Sequence, residues 1–137
     1  MAVVYMPAVM ERHQTISEME AASYPADEAA SPAGIKFRLQ HAGRYFLMAE
    51  REGELLGFVN GTLTTSATLT DKSMEKHEPD GSMLCIHSVC VSEKFRRQRI
   101  ATNMLREYVE RVREMPEIKS IALICKAQSI LYLYLTP

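Results

Sequence analysis

Long apolar runs are missing from this chain of 137 residues. No stretch approaches the roughly 18 residues needed to cross a bilayer, and no basic segment leads into an apolar one at the N-terminus, so neither a membrane span nor a secretory signal is read. Cysteine is scarce: Cys85, Cys90 and Cys125 are the three present, none in a CxxC spacing. An odd, unclustered set suits isolated thiols in a reducing, cytoplasmic setting rather than a disulfide framework. The four histidines are scattered, so no metal site is expected. Surplus charge is lacking too. The formal net charge of −1 excludes a chain that binds nucleic acid over its whole surface. Glycine-rich phosphate signatures, GxxxxGK[ST] and GxGxxG, are absent.

What remains is the composition of a folded protein. Hydrophobic residues make up 47% and charged residues 24%, which excludes a disordered chain and fits one domain spanning 1–137. The charges are segregated. Seven of the sixteen basic residues (Lys94, Arg96, Arg97, Arg99, Arg106, Arg111 and Arg113) lie between Glu93 and Glu114. Residues 50–80 hold seven acids against three bases. A basic cluster in a near-neutral chain points to a local anionic ligand.

Hydrophobic periodicity gives the element order. Val3 to Met6 reads as a strand, and Glu11 to Ala22 as a helix stopped by Tyr24-Pro25. Pro25 to Ala42, broken at Ser31-Pro32-Ala33-Gly34, reads as a helical turn or two plus a loop. Tyr45 to Ala49 and Leu55 to Leu63 form a hairpin about Gly53. Thr64 to Gly81 reads as a loop or a weak helix. Met83 to Val91 is apolar enough to be a strand covered on both faces. Ile100, Met104, Leu105, Tyr108, Val109 and Val112 then recur at helical spacing, and Ser120 to Cys125 is a further strand. The order β, α, ββ, β, α, β predicts an α/β fold, a mixed sheet with helices packed on it.

The chemistry concentrates after Met83. A buried strand ending Ser88-Val89-Cys90-Val91 runs through Ser92-Glu93-Lys94-Phe95 into Arg96-Arg97-Gln98-Arg99-Ile100-Ala101-Thr102, where the helix opens. A helix N-terminus presents unpaired N–H groups and the positive end of its dipole. Arginine there opposes the dipole, so three of them point to a bound phosphate or pyrophosphate, against the plainer reading that they only solvate a helix start. His87 is the titratable group on the strand, able to accept a proton or to serve as a core histidine. Cys85 has no adjacent base and reads as packing, while His13, His41 and His77 read as surface residues. Asn60-Gly61-Thr62 reads as a turn or bulge.

Arg96-x-x-Arg99-x-Ala101 resembles the [QR]-x-x-G-x-[GA] coenzyme A loop of the GNAT superfamily of N-acetyltransferases, and the element order is that superfamily's. Glu20 to Ala29 with the His87 strand is similar to the arylalkylamine branch. The resemblance implies acetyl-coenzyme A as co-substrate. It would be held by Val89, Cys90 and Val91 of the strand and by Arg96, Arg97, Gln98, Arg99, Ile100, Ala101 and Thr102 of the loop and helix start. It also implies His87 as base with an acid limb near pH 6.5, and Tyr132 or Tyr134 as the acid for the departing thiolate. The acceptor would be a small-molecule amine, an arylalkylamine or polyamine, drawn by Asp27, Glu28, Asp71, Glu75 or Asp80. No nucleic acid, membrane or metal partner is implied. Three departures stand out: Arg99 replaces the loop glycine, Cys85 replaces the first histidine of H-x-H, and the tail from Lys126 starts where the family's next helix starts. The usual C-terminal helix and last two strands would be lacking. Ser120 to Cys125 would then be an uncovered edge inviting self-association. The alternative reading is an inactive coenzyme A-binding or interaction module of the same fold.

Overall fold

The computed structural model describes residues 2–66, 76–124 and 130–135. Six strands form one mixed sheet in the order β1-β2-β3-β4-β5-β6: Val4–Pro7, Phe46–Arg51, Glu54–Thr64, Met83–Val91, Ser120–Ile124 and Ile130–Tyr134. All neighbours are antiparallel except β4 and β5, joined by the crossover helix α3 (Ile100–Arg113). Two helices, α1 (His13–Ser23) and α2 (Pro32–His41), lie between β1 and β2 in sequence.

Strand alternation sorts the core into two layers. Phe46 and Met48 of β2 and Phe58 of β3 pack with Ile16 of α1 and with Ile35 and Leu39 of α2. Leu47, Ala49 and Val59 point the other way, joining Leu84 and Ile86 under Ile100, Met104, Tyr108 and Val112 of α3. The apolar positions spaced along α3 are thus its sheet-facing stripe, as the periodicity predicts. The β2–β3 hairpin closes through Glu52 and Gly53, both at positive φ (53° and 80°), the signature of a two-residue type I′ turn.

Three expectations need correction. Ser31-Pro32 does not break a helix but starts one. Ser31 Oγ accepts from Gly34 N at 3.0 Å and Pro32 occupies the first turn, where a missing N–H is harmless. In the tail, the described segment is a strand and not a helix. Ile130–Tyr134 pairs antiparallel with β5, Ile121 opposite Leu133, so β5 is covered and β6 becomes the edge. His77 is not a free surface residue: its Nδ1 accepts from Leu63 N at 3.1 Å, and burial, with the nearby His41, lowers its pKa. Cys125, Asp71 and Glu75 lie outside the described residues, as does half of the stretch read as a loop or weak helix.

Candidate active site at the opening beside β4

Along one side β4 pairs with β3 over its whole length, from Thr64–Met83 to Gly57–Val91. Along the other, its pairing with β5 runs from Met83–Ser120 only to Ile86–Leu123 among the described residues. Beyond Ile86 the strand has no β5 partner among the described residues. The Val89 N–H donates to the Tyr24 hydroxyl at 3.3 Å, and that hydroxyl lies 3.4 Å from the Val89 carbonyl oxygen. The first residue after α1 thus stands where a neighbouring strand would, and burial raises its pKa to about 12, with smaller contributions from Cys90 and Glu20.

The register of β3 and β4 slips at this level. Asn60 faces Ser88 and Gly61 faces Ile86, leaving His87 as the extra residue of a bulge. This is the bulge anticipated at Asn60-Gly61. Glycine is required there, since a Cβ on Gly61 would lie 2.8 Å from the Cys85 carbonyl oxygen and 2.9 Å from the Tyr108 hydroxyl. The bulge re-aims His87, whose Nε2 lies 2.7 Å from Thr62 Oγ1. Burial, reinforced by the charge of Arg38, pushes the imidazole down to about 3. That corrects the expected titration near 6.5: the ring is neutral throughout the physiological range.

Polar residues that the sequence reading missed surround this point. Arg38 Nη1 of α2 donates to Asn60 Oδ1 at 3.0 Å, and Asn60 Nδ2 donates to Ser88 Oγ. Glu20 of α1, 3% exposed, accepts from Ala30 N at 3.0 Å and from the Cys90 thiol at 3.6 Å. The partners lie 10 to 70 residues apart in sequence, and no local motif announces them. Burial pushes both Cys85 and Cys90 up to about 12, so neither thiol is an anionic nucleophile near neutrality. A cavity of about 350 Å³ opens beside Thr62, lined also by Phe37, Arg38 and Lys76.

Where β4 ends, a short 3₁₀ turn (Glu93–Phe95) leads into the arginine loop. Arg96, Arg97, Gln98 and Arg99 are exposed, and among the described residues none of these arginines joins an ion pair. Arg97 and Arg99 have φ of 68° and 60°, the left-handed region that glycine tolerates best. Arg99 occupies the helix N-cap without a side-chain hydrogen bond, so the N–H groups of Ile100, Ala101 and Thr102 have no capping side chain. Buried Ile100 anchors this turn.

A model described as the acetyltransferase (GNAT) family matches residues 11–130. The chain belongs to the GNAT acetyltransferase family. It is 29% identical over 75 residues to a serotonin N-acetyltransferase of Mesocricetus auratus, a match covering 55% of this chain and 36% of that one. Among solved structures it resembles the loading GNATL domain of CurA from Lyngbya majuscula, with TM-score 0.81, 9% identity and coverage of 90% and 65% of the two chains. It also resembles the GphF GNAT-like decarboxylase in complex with isobutyryl-CoA, with TM-score 0.77, 19% identity and coverage of 90% and 65%. The chain spans about a third of the curated relative and just under two thirds of these solved ones.

In this GNAT chain, His87 and Val89 lie two residues apart on β4, with Val91 closing the same strand before the arginine loop. Cys90 belongs to that strand, but its side chain packs with the α1 and α2 layer. Tyr132 and Tyr134 lie on β6 rather than on a helix, opposite Ala122 and Ser120. Their register leads away from the end where β4 and β5 part. No helix among the described residues is long and apolar enough to cross a membrane.

Proposed function

We propose that this GNAT chain is an acetyl-coenzyme A-dependent N-acetyltransferase that acetylates a primary amine with an apolar, arylalkyl-type body. The observation that carries the reading is the parting of β4 from β5 beyond Ile86. Past that point the Val89 N–H and C=O meet the Tyr24 hydroxyl instead of a described strand, and the same strand leads directly into the arginine loop. The residues present suit the co-substrate. Arg96, Arg97 and Arg99 with the N–H groups of Ile100, Ala101 and Thr102 would take its pyrophosphate, and the Val89 backbone its extended arm. When bound, acetyl-coenzyme A supplies an activated acetyl group.

The remaining work belongs to the chain. Val89 N–H, released from the Tyr24 hydroxyl, would donate to the acetyl oxygen as it gains charge. The cavity beside Thr62 would orient the acceptor. An alkylammonium titrates near 10.4, far above an imidazole at about 3, so His87 does not strip the resting cation. The acceptor enters as free base. His87, neutral and beside Thr62, takes the proton the nitrogen sheds as its bond to the acetyl carbon forms and the carbon–sulfur bond breaks. Tyr24, whose hydroxyl meets the Val89 backbone, would supply the proton for the departing thiolate, since the register of Tyr132 and Tyr134 on β6 leads away from this end.

Coenzyme A binding tests the site. Calorimetric titration of the parent should give a measurable affinity, and Arg97→Ala should weaken it about tenfold, the loss of one charge-assisted contact. Equal binding by Arg97→Ala and by Arg96→Ala would place the pyrophosphate elsewhere. The inactive-module alternative predicts the same binding without acetyl transfer, and it draws on the Tyr24 hydroxyl already bonded to Val89.

A further inference from the structure

We propose that the acceptor amine of this enzyme also carries a carboxylate, which Arg38 receives, making it amino-acid-like; this rests on the acetyltransferase reading above. The observation is a half-buried cation that joins no ion pair among the described residues. Arg38 is partly buried and lines the cavity of about 350 Å³ beside Thr62. Among the described residues its hydrogen-bond partner is a neutral amide oxygen, Asn60 Oδ1, and it joins no ion pair. Charges at such depth are normally paired. Glu20 is the carboxylate whose charge reaches Arg38. Its two oxygens, though, are directed to Ala30 N and to the Cys90 thiol.

A guanidinium has five donors in a planar fork that matches a carboxylate. Anchoring through Asn60 to Ser88, the residue beside Val89, fixes one arm and leaves the rest to a ligand. Lys76 adds a second cation to the lining, while Phe37 offers an apolar wall. Asp27, Glu28 and Asp80, the described acids expected to draw a polycation, are exposed and do not line this cavity. A polyamine would meet two like charges. An amino-acid-like acceptor would place its carboxylate on Arg38, its side chain along Phe37 and its amine toward Thr62 and His87.

The test compares matched acceptors that differ only in the anionic group: phenylalanine, phenylalanine amide and phenethylamine, with the corresponding leucine series. Thiol release from acetyl-coenzyme A is measured for the parent, Arg38→Gln and Arg38→Lys. The amide has the more acidic ammonium and so the larger free-base fraction, hence a preference for the carboxylate cannot come from basicity. The expected result is a kcat/KM for the amino acid at least about tenfold above both analogues, as one charge-assisted contact gives. Arg38→Gln should abolish that preference by raising KM, with coenzyme A affinity unchanged, and Arg38→Lys should keep part of it. Equal or faster turnover of phenethylamine by the parent overturns the proposal but leaves acetyl transfer standing. If no acceptor releases thiol, the acetyltransferase reading fails. N-acetylphenylalanine must then still raise the thermal midpoint of the parent more than its amide does, and less so in Arg38→Gln, or the carboxylate site falls as well.

Discussion

Lowering the pH from 7.5 to 5.0 should destabilise the parent by about 2 kcal/mol more than it destabilises a His87→Gln variant. The figure follows from the position of His87 in the β4 bulge, where burial and then Arg38 push the imidazole down to about 3. In the unfolded chain the same ring titrates near 6.5. With the folded value depressed, stability is full above about 6.5 and drains away as pH falls from there toward 3. At pH 5.0 the unfolded state already carries most of this proton and the folded state almost none. The gap of about 1.5 pH units, at 1.36 kcal/mol each, gives about 2 kcal/mol. Other groups move with pH as well: His77, Glu78 and Glu117 have lowered pKa values. They are the same in both proteins and cancel in the comparison. Urea unfolding of parent and variant at both pH values measures the difference, whatever offset the substitution itself adds. Equal losses in the two proteins would show that the ring charges as freely folded as unfolded. The account of His87 as an enclosed neutral imidazole would then be wrong.

Arg99→Gly should raise stability by about 0.5–1 kcal/mol in urea melts, because an arginine at φ 60° stores left-handed strain that glycine relieves; coenzyme A affinity should rise as the backbone gains closer approach, whereas a fall would mean that the guanidinium has replaced the backbone as ligand. Ser31→Ala should cost about 1 kcal/mol, the usual loss when an N-cap hydroxyl bonded to the N3 amide is removed, and unchanged stability would mean that Pro32 alone starts α2. Gly61→Ala should cost more than about 2 kcal/mol, because its Cβ would meet the Cys85 carbonyl at 2.8 Å and force the bulge open; a neutral result in thermal melts would show that the sheet yields there easily. Turnover should rise steadily with pH toward the amine's own titration without an inflection at 6.5, since His87 does not titrate there in the folded protein.

The strand, arginine loop and helix around Arg96–Thr102 were legible because a continuous apolar strand and a 3.6-residue stripe are local signals. The same local signals carry the anion-binding reading. The tail was less legible. Ile130 to Tyr134 is an uninterrupted apolar run, which periodicity cannot assign to helix or strand; pairing with β5 decides it. Ser31-Pro32 shows a different ambiguity, because the same residues stop one helix or start the next. Of the candidate site, His87 and Val89 could be named, but not what governs them. The bulge depends on the register between β3 and β4. The environment of His87 depends on Arg38 from α2 and Thr62 from β3, and the Val89 amide is met by Tyr24 from the end of α1. Such contacts arise only when distant segments pack. Of the acids read as drawing an amine, Asp27, Glu28 and Asp80 do not line the cavity beside Arg38 and Lys76, a placement that composition does not fix, and Asp71 and Glu75 lie outside the described residues.

Acetyl transfer itself is the most direct test of the central claim. The protein is incubated with acetyl-coenzyme A and a panel of primary amines with and without a carboxylate, while free thiol and the mass of the acceptor are followed together. The account predicts thiol release that depends on the acceptor, one added acetyl group on its nitrogen, and loss of most turnover in His87→Gln at unchanged coenzyme A affinity. Stabilisation by coenzyme A with no acceptor-dependent thiol release would contradict it and leave a binding module on an acetyltransferase fold.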